Sequence, residues 1–262
     1  MYIAYLARSF SYVSIVNYVS AVSMLHKWLG YDVEFMSDFA VKSTLSGYKR
    51  ILGDFQHQKL PITVDMLLAI VQKCDHVPDS GFISAMLCGF YTFLRKANLV
   101  PKSPNTFIPG THLCRDSFQF TQFGVLLKVT GTKTIQYGER VLYLPMVYNK
   151  CSSICPVRAL KHHFDKFTCQ GQSPAFLYQY NGKMLPITQS VLSRWLKSKL
   201  KSIGVNPKDY TLHSLRRGGA SRALLNGADV TAIAAMGDWK SLAVLKYLDQ
   251  SVKVKLNVAY KL

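Results

Sequence analysis

The sequence predicts an α+β chain, mainly α-helical with a small antiparallel β-sheet, and three observations predict it. Apolar residues recur at helical spacing through most of the chain, as in Val13, Val16, Val19, Val22, Leu25 and Leu29. Strand-like runs are gathered into 118–145, with a shorter aromatic one at 175–180. A polar stretch, Gln56-His57-Gln58-Lys59, is followed by Pro61 and divides the chain into a small helical piece, 1–58, and a larger one, 59–262.

The elements follow in order. A first amphipathic helix spans 11–29 and stops at Gly30; a second spans 35–52, with Lys42, Lys49 and Arg50 outward and Gly53 closing it. Beyond the boundary come helices at 63–74 and 80–97. The latter is rich in Phe82, Ile83, Leu87, Phe90 and Leu94, is therefore largely buried, and carries Arg95 at its end. Phe118 and Phe120 alternate with polar residues, and Val125–Val129 and Arg140–Pro145 complete the strand region. Pro156 suits the first position of a helix at 155–168, and Asn181-Gly182 suits a tight turn before a helix at 188–203. A helix starting near Leu212, a short one at 229–236 and a segment around Tyr247 close the ordered part. In that segment Leu242, Leu245 and Leu248 recur at helical spacing behind Ser241 as N-cap, and a tail of apolar residues and lysines, 252–262, follows.

Composition narrows the partner. The chain has 262 residues, 49% hydrophobic, with 32 Lys plus Arg against 14 Asp plus Glu and a formal charge of +18. Such an excess points to a polyanion. No apolar run approaches the length of a membrane span and no cationic amphipathic helix stands apart, so nucleic acid is favoured over an anionic membrane. Residues 1–8 lack the pattern of a signal peptide, so the expected location is inside the cell, and the nucleus if the source is eukaryotic. The six cysteines read as reduced core thiols. Cys151, Cys155, His162 and His163 allow a zinc reading, but Cys155-Pro156-Val157-Arg158 reads more simply as a helix start; no metal or cofactor is expected.

The chemistry concentrates in 211–247. His213 and Arg216 stand three apart in Thr211-Leu212-His213-Ser214-Leu215-Arg216-Arg217-Gly218-Gly219, on one helical face, where two donors can converge on a phosphate. Gly237-Asp238-Trp239-Lys240-Ser241 and Tyr247 come after it. This set resembles the C-terminal signature of the tyrosine recombinases, or phage-type integrases, and its Gly-x-Trp-x-Ser is similar to the form seen in eukaryotic mobile-element recombinases of the Crypton and DIRS types. Two upstream matches extend the resemblance over about residues 60–250: Tyr91–Leu99 with Arg95, and Gly131-Thr132-Lys133-Thr134 with Lys133.

The resemblance implies a helical core-binding domain, truncated here to 1–58, that grips DNA opposite a catalytic domain at 59–262. It also implies a tetramer on double-stranded DNA and a 3′-phosphotyrosyl intermediate formed without metal or ATP. By role, Tyr247 is the nucleophile, Arg95 and Arg216 hold the non-bridging oxygens, Lys133 protonates the leaving oxygen, and His213 and Trp239 donate hydrogen bonds. Lys128 competes with Lys133 for its role, and Tyr260 is a distant rival nucleophile. Arg194, Lys197, Lys201 and Arg217 are candidates for the DNA backbone. One residue departs from the pattern: nine before Tyr247, where most of the family has His or Trp, stands Asp238. Either Trp239 takes that position or Asp238 turns away from the phosphate. A type IB topoisomerase-like enzyme and a non-catalytic DNA-binding derivative of a mobile-element recombinase remain the alternatives.

Overall fold

The computed structural model describes residues 1–53, 58–75, 77–132, 135, 137–149, 151–240 and 244–245, in two compact units, Met1–Gln58 and Lys59–Leu262. Lys133, Ser241, Tyr247 and the 252–262 tail lie outside the described residues. No helix among the described residues is long and apolar enough to cross a membrane.

The first unit is helical. Its elements are α1 (Tyr2–Leu6), α2 (Tyr12–Trp28) and α3 (Phe39–Leu52), with a 3₁₀ turn at Glu34–Met36 where the sequence suggested that the second helix had already begun. Asp38 sets the true start by accepting the N–H groups of Ala40 and Val41. Leu6, Ile15 and Val19 form the small core, with Ile3, Ala7, Met36 and Leu45 packed around it.

The second unit is built around α5 (Ser80–Tyr91), in which every residue from Ser80 to Phe90 is buried. Before it runs α4 (Val64–Gln72), capped by the Thr63 hydroxyl, which accepts the Met66 N–H at 3.3 Å. Against α5 pack α7 (Pro156–Lys166) and α9 (His213–Leu225). The approach of α9 is very close: a Cβ on Gly219 would stand 1.9 Å from the Phe90 carbonyl oxygen, so only glycine lets the two helices meet there.

The expected helix over 80–97 is shorter than its apolar pattern. It ends at Tyr91, the Thr92 hydroxyl turns back to the Cys88 carbonyl at 2.6 Å, and Phe93 adopts a left-handed conformation at φ 53°. The reason is tertiary, because the Phe93 ring is needed in a second small core with Ala220, Ile233 and Val244. A new four-residue helix, α6 (Lys96–Leu99), begins after this turn with Arg95 at its N-cap.

Strands β1 (Phe118–Thr121), β2 (Gly124–Val129) and β3 (Leu142–Val147) make an antiparallel meander in that order. Val125, Leu127, Val129, Leu144 and Met146 point into the main core. The third strand starts two residues later than its sequence suggests, which leaves Arg140 outside the ladder. A second hairpin pairs β4 (Leu177–Tyr180) with β5 (Lys183–Pro186) through Asn181 and Gly182, both at positive φ as a type I′ turn needs. The remaining helices are α8 (Gln189–Ser202) and α10 (Val230–Met236), capped by Thr188 and Asp229.

His163 on α7 is fully buried, accepts the Leu177 N–H at Nε2 (3.3 Å) and faces the Ser80 hydroxyl with Nδ1 (3.2 Å). Both ring nitrogens thus serve the core. Burial first, then the Arg115 charge, pushes its pKa down to about 3.

Candidate active site

The site gathers on one tripeptide, Gly237-Asp238-Trp239, which follows α10. Its two consecutive carbonyls hold the two arginines singled out from the sequence. Arg216 donates from Nη2 to the Gly237 oxygen at 2.7 Å, and Arg95 donates from Nη2 to the Asp238 oxygen at 3.4 Å. Arg216, only 1% exposed, also donates from Nη1 to the Phe93 carbonyl. The left-handed turn at Phe93 that ends α5 therefore aims its carbonyl at Arg216 while placing Arg95 two residues on. The Trp239 ring stacks on the Arg216 guanidinium, 3.7 Å from ring centroid to Cζ. Gly237 carries no side chain because that ring fills the space: a Cβ would lie 1.8 Å from it.

Asp238 answers the question its position raises. Its backbone is left-handed, at φ 56°, and its side chain is buried, turned into the protein as a hub for three donors. One carboxylate oxygen takes Arg140 in an ion pair; the other accepts the Thr132 hydroxyl at 2.7 Å and lies 3.6 Å from Arg95. A buried carboxylate is costly unless paired and hydrogen-bonded, and here it is both. Trp239, for its part, enters the site through its ring face.

His213 opens α9 one turn before Arg216. The residue as a whole is exposed, yet enough of the ring is hemmed in to lower its pKa below the usual histidine value. Burial is the largest cause, and repulsion from Arg216, Lys96 and Arg95 adds to it. An unprotonated imidazole at neutral pH can accept a proton as well as donate its own N–H. Lys133 lies between described neighbours that tie its segment to the site. Thr132 and Ile135 exchange backbone hydrogen bonds at 3.1 and 3.2 Å, and the Thr132 hydroxyl binds Asp238. Lys128, its competitor, is exposed in β2 opposite Tyr143. Val244, three residues before Tyr247, is buried against Phe93, Ala220 and Ile233.

The backbone candidates divide. Arg194, Lys197 and Lys201 are exposed along one face of α8, opposite buried Leu192, Leu196 and Leu200. Arg217 is engaged in the fold instead, donating to the Lys59 carbonyl at 2.8 Å. Sequence reasoning did not assign Arg140. No spacing marks it, and only its convergence with Arg95 on Asp238 brings it into the site.

No family model matches the chain. An integrase/recombinase XerD homolog from Selenomonas ruminantium is 26% identical over 242 residues, 88% of this chain and 67% of that protein. Among solved structures, XerA recombinase aligns over 99% of this chain and 80% of its own, with TM-score 0.55 and 17% identity. The Tn1549 transposon integrase in complex with a circular-intermediate DNA aligns over 97% and 81%, with TM-score 0.60 and 15% identity. The chain has the fold of the tyrosine recombinases. A lambda integrase dimer bound to a core site shares it over 92% of this chain and 80% of its own, at TM-score 0.52 and 16% identity. Within the recombinase fold, Arg95 and Arg140 meet on the Asp238 carboxylate, Arg216 sits on the adjacent Gly237 carbonyl, and His213, with its lowered pKa, lies close enough to feel the charges of Arg216 and Arg95.

Proposed function

We propose that the chain is a site-specific DNA recombinase that cleaves and rejoins DNA through a 3′-phosphotyrosyl intermediate. The observation that carries this reading is the seating of Arg95 and Arg216 on the adjacent carbonyls of Gly237 and Asp238, with His213 one helical turn from Arg216. Fixed guanidiniums lower the barrier to phosphoryl transfer because they stabilise charge on the non-bridging oxygens without reorganising, so neither metal nor ATP is required. In the first step the Tyr247 hydroxyl gives its proton to His213 as its oxygen attacks the scissile phosphorus, the P–O5′ bond breaks, and the departing 5′ oxygen takes a proton from Lys133. In the second, another 5′ hydroxyl returns its proton to Lys133 and attacks the phosphorus, the bond from phosphorus to the Tyr247 oxygen breaks, and the tyrosine leaves with the proton held by His213. Because the ester conserves the bond energy, no water is consumed.

The partner is double-stranded DNA, supported by the +18 charge and by the basic face of α8. Strand exchange needs two duplexes and four active sites, hence a homotetramer on DNA, with the helical unit 1–58 as a further DNA-binding element. Gly237-Asp238-Trp239-Lys240-Ser241 supports a kinship with Crypton- and DIRS-type recombinases, and with it a nuclear location and a role in mobile-element integration.

The test is incubation with a pool of labelled, nicked duplexes carrying element-end sequences, so that cleavage releases a short fragment and traps the adduct, followed by denaturing electrophoresis. Wild type should give a shifted covalent band, and Tyr247→Phe should lose it while DNA binding stays within about threefold. A band that persists in Tyr247→Phe refutes the assignment of the nucleophile. No band, with salt-sensitive binding retained, favours the non-catalytic clamp, and relaxation of supercoils by a monomer favours the topoisomerase.

A further inference from the structure

We infer that Arg140 is a third phosphate-binding arginine of the site, and that Asp238 is the positioning residue that holds it there. The inference rests on the recombinase reading and assigns roles to two residues that the reading does not use.

Asp238 stands nine before Tyr247, where most of the family presents a His or Trp donor to the phosphate. A carboxylate cannot take that part, because it accepts and does not donate, and its charge repels the phosphate. The structure shows where a donor is recovered. Arg140 and Arg95 sit on the two oxygens of the same buried carboxylate, so their guanidiniums are held side by side. The three groups together carry one net positive charge, which removes the repulsion. The Arg140 side chain is 46% exposed while the carboxylate is 3% exposed, so Arg140 is anchored on its inner side and presents the rest to solvent. Arg95, at 19%, is set deeper beside it.

Arg140 reaches Asp238 from just before β3, and Thr132 reaches it from just after β2. Both sides of the connection that contains Lys133 are therefore pinned to one acid. That placement needs the ladder to end at Leu142, which frees Arg140 to turn inward from the strand.

The test uses the full chain in the adduct-trapping assay, together with equilibrium DNA binding over a range of salt concentrations. Arg140→Ala is expected to slow adduct formation about 10²-fold, the usual effect of removing one preorganised donor. It should also reduce the slope of log binding constant against log salt by about one, and it lowers the melting temperature because a partner of the buried carboxylate is lost, so rate and slope are read well below the melting temperature of the variant. Arg140→Lys should recover the salt slope and at least tenfold of the rate. Asp238→Asn keeps an acceptor for Thr132 but loses the ion pairs, and should slow adduct formation at least tenfold. Combined with Arg140→Ala, it should cost less than the product of the two single losses, because the two residues act through one contact.

The inference is overturned if Arg140→Ala matches wild type in both rate and salt slope, or if the two losses simply multiply. Absence of an adduct even in wild type removes the recombinase reading and leaves the salt slope to decide: a drop of about one for Arg140→Ala keeps the phosphate contact, and an unchanged slope removes it.

Discussion

Replacing Arg216 with Lys separates charge from geometry in a residue that is both structural and reactive. The substitution keeps the positive charge but loses the planar fork that spans the Phe93 and Gly237 carbonyls under the Trp239 ring. A lysine reaching from the same backbone can satisfy one of those carbonyls. Leaving the other buried and unpaired costs about 1–3 kcal/mol, and weakened stacking on Trp239 costs about 1–2 kcal/mol. The expected loss is therefore about 2–5 kcal/mol out of a typical stability of roughly 5–15 kcal/mol. Urea unfolding followed by tryptophan fluorescence measures it, and the same preparation placed in the adduct assay should react about 10²-fold more slowly, or worse. A variant that unfolds at the wild-type urea concentration would show that the fork does not hold these segments together. A destabilised variant that still forms adduct at the wild-type rate would remove Arg216 from the reaction.

Three further outcomes follow from the geometry. Gly219→Ala forces α9 away from the Phe90 carbonyl and should lower stability by about 1–3 kcal/mol while slowing adduct formation, since Arg216 rides on the same helix; calorimetry and the adduct assay read the two effects. His163 is neutral in the fold with its pKa pushed down to about 3. The stability it contributes is therefore complete above the ordinary value of about 6.5 and is lost as pH falls from there toward 3, at about 1.4 kcal/mol per pH unit. Urea unfolding at pH 7 and pH 5 should show a loss of about 2 kcal/mol from this residue that is missing from His163→Gln. Changing Arg194, Lys197 and Lys201 together to Gln, on the exposed face of α8, should lower the salt slope of DNA binding by up to about 3 without changing the melting temperature.

Helices and strands were legible wherever the local signals agreed. Thr63, Thr188, Asp229 and Pro156 mark helix starts that the structure keeps, because a cap is a contact within a few residues. The end of α5 was not legible. Nothing in Tyr91-Thr92-Phe93-Leu94 resembles a stop signal, and the left-handed turn exists because Phe93 is claimed by a distant core and Arg216 by its carbonyl. The alignment of His213 with Arg216 was readable from their spacing, whereas the direction of Asp238 was not, since spacing says nothing about which way a side chain turns. Arg140 could be found only through its partner, as residues far apart in sequence share no periodicity.

The hydrogen bonds that assemble the site span 106, 123 and 143 residues. Contacts of that reach form only after long loops have closed, so they come late in folding, whereas helices and hairpins form from their own neighbourhoods. On a ribosome the consequence is sharper. Arg95, Thr132, Arg140 and Arg216 have all left the exit tunnel before Gly237 and Asp238 follow, and until then Arg95 and Arg140 lack the carboxylate they share and Arg216 lacks one of its two carbonyls. The site is thus completed only when Gly237 and Asp238 join segments made long before them.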